Sequence, residues 1–245
     1  MRTTIPIPIP ILMYHQVDAA PPRGTPARGM VVSPGSFARQ MRMLAVLGWR
    51  GVAMRDVVAQ LDAPDGERIV GITFDDGYLN NLEHAVPILQ RHGFSATCYA
   101  VSSLIGDFNR WDDGKGIARK PLMNADHWRR WVDAGMEIGA HGRRHLDLTT
   151  LDDEAARDEI AGSRDALEAL FAVPVRHFCY PYGRFEARHR AIVAEAGFAS
   201  ATTVRRGRAT RASDRLELPR VLVAQSTHLG HFLLKVATGY EDRRG

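Results

Sequence analysis

Cysteine is scarce in this chain, with two among 245 residues. Cys98 and Cys179 both sit in strand-like stretches, SATCYAV and RHFCYPYG. They read as buried free thiols rather than a disulfide framework, which fits a reducing compartment. Long apolar runs are also missing, and none approaches the roughly 20 residues of a membrane span. The opening MRTTIPIPIPILMYH has one arginine and then alternating Ile-Pro, where a secretory leader needs an unbroken apolar segment and a small-residue cleavage site. A cytoplasmic protein without a transmembrane segment is therefore expected. Charge of one sign is lacking too. A net charge of +4 is too mild to predict a nucleic-acid partner, though it suits a neutral or acidic polymer. No internal repeat, linker or low-complexity tract interrupts the chain, so one domain over residues 1–245 is expected, and nothing in the sequence sets an oligomeric state. With 45% hydrophobic residues it has enough apolar side chains for a sizeable core.

What is present is a regular alternation. Strands are expected at Ile11 to His15, Ile69 to Phe74, Phe94 to Val101, Met136 to Ala140, Val175 to Tyr180, Phe198 to Thr203 and Val221 to Ala224. Alternating Ile-Pro from Ile5 to Pro10 cannot donate a full ladder of hydrogen bonds, so the first strand starts only at Ile11. Between the strands lie helical patterns. Ser33 as N-cap with Pro34 opens one that stops before Gly48. Others run from Arg55 to Leu61, Leu82 to His92, the Asn124 cap to Ala134, Asp152 to Phe171 and Glu186 to Ala196, and a last one starts near Thr227. About seven strands separated by helices argue for an α/β fold with a parallel sheet, open or closed into a barrel. Ligands of such folds bind at the C-terminal strand ends.

Three of those ends carry chemistry. The strand IVGITF runs into Asp75 and Asp76, and desolvating two adjacent carboxylates costs several kcal/mol per ion unless something compensates. A cation would do so, and so would an N-cap role on the following helix. His141 and His145 follow the strand Met136 to Ala140 at a spacing of four, and can meet one metal if the backbone between them turns helically. The alternative is a solvated pair in a loop. Two imidazoles and one carboxylate suit Zn²⁺ with an open position, and equally non-haem Fe(II). If the cation takes one aspartate, the other is free to accept a proton from an activated water. Trp111 and Asp112, with Asp113 and Lys115, sit in the long loop 106–123, where sugar stacking and hydroxyl contacts are natural. The basic run VRRGRATRASDR reads as a solvated loop, with contact to an anionic glycan or lipid phosphate as its alternative.

Read in order, TFDDG (Thr73 to Gly77), EIGAHGRRH (Glu137 to His145) and YPYG (Tyr180 to Gly183) resemble the polysaccharide deacetylases, the NodB-homology group of carbohydrate esterases. The resemblance extends from LMYHQV to LPRVLV and implies a distorted (β/α) barrel of about seven parallel strands. It implies that Asp75 is the catalytic base and that Asp76, His141 and His145 hold a divalent metal, Zn²⁺ before Co²⁺ or another ion. That metal would polarise the carbonyl of an N-acetylated carbohydrate substrate. Tyr182 matches the position whose backbone N–H holds the oxyanion, although its side chain could equally be there for packing. The opening ILMYHQVD is similar to the permuted branch that includes poly-N-acetylglucosamine deacetylases, which gives His15 the role of general acid; a satisfied strand-end histidine is the plain alternative. Two departures stand out. Gly142 replaces the usual Ser or Thr after the first histidine, and the arginine expected shortly before Pro181 is missing, with Arg220 as its substitute. The expected function is metal-dependent N-deacetylation of an amino-sugar glycan or precursor. O-acetyl or other amide hydrolysis, an Fe(II) oxygenase, and a glycan-binding module that lost catalysis are the other readings.

Overall fold

Residues 8–63 and 67–244 are described by the computed structural model. Ile5, Pro6 and Ile7 of the alternating Ile-Pro stretch lie outside these residues; Ile9 forms an isolated antiparallel bridge with Ala209. In chain order the strands are β1 (Ile11–Tyr14), β2 (Gln16–Val17), β3 (Val31–Val32), β4 (Arg50–Val52), β5 (Ile69–Phe74), β6 (Thr97–Ala100), β7 (Glu137–Ala140), β8 (His177–Cys179), β9 (Ser200–Arg206) and β10 (Leu218–Leu222). The helices are α1 (Pro34–Val46), α2 (Met54–Asp62), α3 (Val86–Gln90), α4 (Ala125–Asp133), α5 (Asp153–Phe171), α6 (Ala187–Glu195) and α7 (Leu229–Ala237).

Seven parallel strands close into a barrel in the order β1, β5, β6, β7, β8, β9, β10 and back to β1. Leu12 is the seam, since it pairs with Ile72 on one edge and Val221 on the other. β4 pairs with the start of β5 on the edge that β6 takes over from Thr73 onward. Period-two alternation sorts the side chains. Leu12, Tyr14, Val70, Ile72 and Phe74 enter the large cluster that includes Phe37, Trp128 and Ile160 of the helices. Ile11, Ile69, Tyr99, Cys179 and Leu218 form a smaller cluster with Val57 and Leu61 of α2.

Caps set the helix starts. Ser33 accepts from Ser36 N, Asn124 from His127 N and Asp152 from Ala155 N. Pro219 lies within β10, and the register of β10 against β9 shifts between Leu218 and Arg220, so that strand begins earlier than the apolar run starting at Val221 suggests. The helix expected from Leu82 to His92 is instead a wide π turn, Asn81–Ala85, followed by the short α3. No helix among the described residues is long and apolar enough to cross a membrane.

Candidate active site

β5 delivers Asp75 and Asp76 to the C-terminal rim, where the backbone turns sharply, with φ of 76° at Asp76 and 80° at Gly77. A Cβ at position 77 would stand 3.0 Å from Trp128 Cζ2, so both conformation and space call for glycine there. The turn explains how two adjacent carboxylates coexist, because it sends them to different partners. Neither caps a helix, since the next helical stretch begins at Leu79, beyond Gly77 and Tyr78.

Asp75 is buried and gripped by the buried Arg220, with Nη1 2.7 Å from Oδ1 and Nη2 2.8 Å from Oδ2. Arg220 is itself fixed by Nε donating to the Thr203 carbonyl at 2.8 Å and Nη1 to Thr73 Oγ1 at 3.2 Å. Burial alone would raise the Asp75 pKa. The Arg220 charge and hydrogen bonds, helped by His15 and His141, outweigh it and hold the carboxyl below the usual range. His15 leaves β1 on the open side, with Nε2 3.9 Å from Asp75 Oδ2 and its Nδ1 buried without a protein partner. Its backbone is pinned by the buried Asn81, whose Nδ2 donates to His15 O at 2.7 Å and whose Oδ1 accepts from Val17 N at 3.0 Å.

Asp76 faces the histidines. Oδ1 lies 3.4 Å from His141 Nε2 and 3.4 Å from His145 Nε2. Donors about 2.0–2.1 Å from a tetrahedral Zn²⁺ stand roughly 3.3–3.4 Å apart, so both Asp76–imidazole separations match such an ion, and all three ligand atoms lie within 4.8 Å of one another. His141 Nδ1 is 2.7 Å from the Cys179 carbonyl and can only donate to it, which turns Nε2 toward the shared site. Burial lowers this imidazole, but Cys179 and Asp76 outweigh it and hold it above the ordinary value, so a cation there would have to displace the Nε2 proton. Burial outweighs the Asp76 hydrogen bond at His145 and holds its imidazole below the ordinary value, hence neutral and fit to ligate. A second set, Asp75, His141 and Cys179, is also close enough to share an ion. There the Arg220 guanidinium occupies both Asp75 oxygens and stands 3.2 Å from Cys179 Sγ, so a cation would meet a cation. The donor chemistry of Asp76, His141 and His145 fits a divalent metal; that of the Cys179 set does not.

The two histidines converge without the helical turn that their spacing of four would use. The backbone bends through left-handed residues instead, Gly142 at φ 78° and His145 at φ 61°. The buried carboxylate of Glu159 on α5 ties this bend down. Oε2 accepts from Arg143 N at 3.1 Å and Arg144 N at 3.0 Å, and Oε1 accepts from Arg144 Nε at 2.6 Å. A Cβ at position 142 would lie 3.0 Å from that same Oε2. Glycine therefore matches Glu159, whose carboxylate anchors the loop in the absence of a hydroxyl at 142.

Over the site, the Trp111 ring stacks on His145 with centroids 4.5 Å apart, and Tyr182 packs edge-on to the same imidazole, also at 4.5 Å. The loop carrying Trp111 and Asp112 is held by the buried Asn109, which accepts from Lys120 N at 2.7 Å and donates to Asp112 Oδ2 at 3.0 Å. His15, Asp75, Asp76, Trp111, Asp112, His141, His145, Tyr182 and Arg220 all line one cleft. Tyr78, Met30 and Val204 also line it and escaped the sequence reading. Tyr78 directly follows the DDG turn and could have been found there; Met30 and Val204 carry no local signal. The late histidines stay away from Asp75, and His228 caps α7 by accepting from His231 N.

With fold and site in place, similarity to known proteins gains its meaning. YxkH of Bacillus subtilis (strain 168) is 26% identical over 226 residues, 91% of this chain and 74% of that protein. The Streptococcus pyogenes deacetylase PplD, solved in complex with acetate, superposes with a TM-score of 0.83 at 23% identity, covering 95% of this chain and 99% of its own. IcaB from Ammonifex degensii gives a TM-score of 0.73 at 22% identity, over 90% and 93% of the two chains. Both share the barrel. A sequence model described as polysaccharide deacetylase matches residues 62–201, which hold the Asp pair, the His pair and Tyr182 but neither His15 nor Arg220. The chain that folds into this barrel thus belongs to the polysaccharide deacetylase family.

Proposed function

We propose that the protein hydrolyses N-acetyl groups of an amino-sugar glycan or glycan precursor, releasing acetate and a free amine. One observation carries the reading: adjacent carboxylates are split between two partners, Asp76 converging with two imidazoles and Asp75 remaining an ionised acceptor clamped by Arg220. Asp76, His141 and His145 would hold a divalent cation such as Zn²⁺, which when bound supplies Lewis acidity to the acetyl carbonyl and lowers the pKa of a water.

The residues of the chain supply the rest. Asp75 accepts the proton of the attacking water, and its depressed pKa keeps it ionised at neutral pH. The backbone N–H of Tyr182 faces the developing oxyanion in this reading. An amine leaves poorly without a proton, and His15, whose Nε2 lies 3.9 Å from Asp75 Oδ2, delivers one to the nitrogen. Trp111 and Asp112 border the cleft where a sugar ring would lie, with the indole face offering a stacking surface.

The test is a set of oligosaccharides that differ only in carrying N-acetyl or O-acetyl groups. Equal moles of acetate and primary amine from the N-acetyl members, lost in Asp75→Asn, support the proposal. Acetate from the O-acetyl members alone would replace it with an esterase.

A further inference from the structure

A second chamber opens over β1, β9 and β10 and against α7. Its volume, about 640 Å³, exceeds the 190 Å³ or so of the cleft around Asp75, and His15, Met30, Tyr182 and Val204 form a wall common to both. A molecule with its acetyl group beside Asp75 therefore has an adjoining space for what is attached to the acetylated sugar.

The lining is cationic. Lys235 reaches it from α7 although its side chain is only 7% exposed, and its Nζ contacts the Leu222 carbonyl at 2.8 Å and Glu241 Oε1 at 2.9 Å. Arg206, at the end of β9, contacts the other Glu241 oxygen through Nε at 2.7 Å. A single fully buried carboxylate thus fixes two cations. Arg244 lies over the Tyr240 ring at 4.5 Å and forms no ion pair among the described residues. The three cations outnumber their one carboxylate, and Met13 and Leu222 line the chamber beside them without adding charge. Arg206 is partly exposed and Arg244 exposed, so among the described residues the charge left over after the Lys235–Glu241 pair is accessible to an anion entering the chamber beside the reaction site, and its field favours one there.

The geometry points to a subsite for an anionic group, a phosphate or a carboxylate, borne by the substrate next to its N-acetylated sugar. This rests on the deacetylase reading above. It narrows the substrate to an acidic glycan or a sugar phosphate instead of a neutral polymer. Of the arginines in the basic run beginning at Val204, only Arg206 lines this chamber; Arg205, Arg208 and Arg215 are paired with Glu217, Asp242 and Asp62.

Calorimetric titration of the metal-loaded protein tests the subsite, comparing N-acetylglucosamine, its 1-phosphate and a disaccharide joining it to a uronic acid. The charged compounds are expected to bind about tenfold more tightly than the neutral sugar, the scale of a charge-assisted hydrogen bond. That ratio should fall toward one in the double variant Arg206→Gln, Arg244→Gln, which leaves Glu241 paired with Lys235. Which charged compound binds better separates phosphate from carboxylate. Equal affinity for neutral and charged sugars, or a preference that survives the double variant, overturns the subsite. Acetate assays on the same compounds keep the two ideas apart. Charge-dependent binding without acetate release would leave the subsite standing and remove the deacetylase, and acetate release without charge preference would do the reverse.

Discussion

Arg220 and Asp75 stand on and beyond two strands that flank β1 on opposite edges, and they meet through paired contacts of 2.7 and 2.8 Å with both side chains buried. Arg220, the expected substitute for the arginine missing before Pro181, thus reaches Asp75 from β10. Breaking a buried pair by removing one partner costs about 3–5 kcal/mol, because the remaining charge is stranded. Arg220→Gln is expected to lose stability on that scale and to lose turnover. Arg220→Lys should recover part of the stability and little of the turnover, since an ammonium cannot hold both carboxylate oxygens at once. Denaturant unfolding and acetate assays on the same samples check this; full activity in Arg220→Gln would remove the positioning role.

Glu159 touches neither His141 nor His145, yet it fixes the backbone between them. Glu159→Gln puts an amide where two backbone N–H groups need an acceptor. The expected result is a Zn²⁺ affinity lower by about 10–100-fold, the usual effect of losing a group that orients ligands. Competition with a chromophoric chelator measures it, and unchanged affinity would show that the bend holds itself.

His15→Asn should reduce turnover by about 10²–10⁴-fold, the range of a general acid, while bound metal stays stoichiometric. A large drop in metal content instead would place His15 among the groups that build the cation site.

At β7, Glu137 is half of a polar cluster with Thr97 and His177: His177 Nε2 lies 3.5 Å from Oε1, and Thr97 Oγ1 lies 2.5 Å from Oε2. Burial would raise this carboxyl, but the His177 and Thr97 bonds and the Arg55 amide outweigh it and hold it below its ordinary 4.5. A depressed folded-state pKa means that its stabilisation is present above about pH 4.5 and is lost as pH falls through the lower, folded value. Glu137→Gln should therefore be less stable than the parent at pH 7, with the gap narrowing below pH 4. Melting curves at a series of pH values decide it, and a gap that stays constant across that range would contradict the ionised role.

Much of this architecture is legible in the sequence because local and tertiary preferences agree. Ser33, Asn124 and Asp152 cap the helices whose starts they mark in the sequence. The apolar run of β5 ends at its two aspartates. The gathering of His15, Asp75, Asp76, His141, His145 and Arg220 follows from their shared place at or near strand ends on one rim. What stayed hidden depends on contacts that no short window contains. β4 has three residues, one of them exposed, and carries no alternation to detect. Glu159 sits among the charges of DEAARDEIAG, where a buried carboxylate looks like a solvated one. The left-handed bend at Gly142 and His145 is tied to Glu159, seventeen residues beyond Gly142, a contact that no short window of sequence contains. The cations of the second chamber come from β9, α7 and the segment after it, and only folding brings Arg206 and Lys235 round one carboxylate.

The central claim is that Asp76, His141 and His145 form a cation site on which deacetylation depends. The most direct measurement is acetate release from an N-acetylated oligosaccharide by metal-stripped protein titrated with Zn²⁺, alongside Asp76→Ala. Turnover should rise linearly to one equivalent and then level, with the variant neither binding the ion nor releasing acetate. Full-rate release from stripped protein, or from Asp76→Ala, would contradict the account.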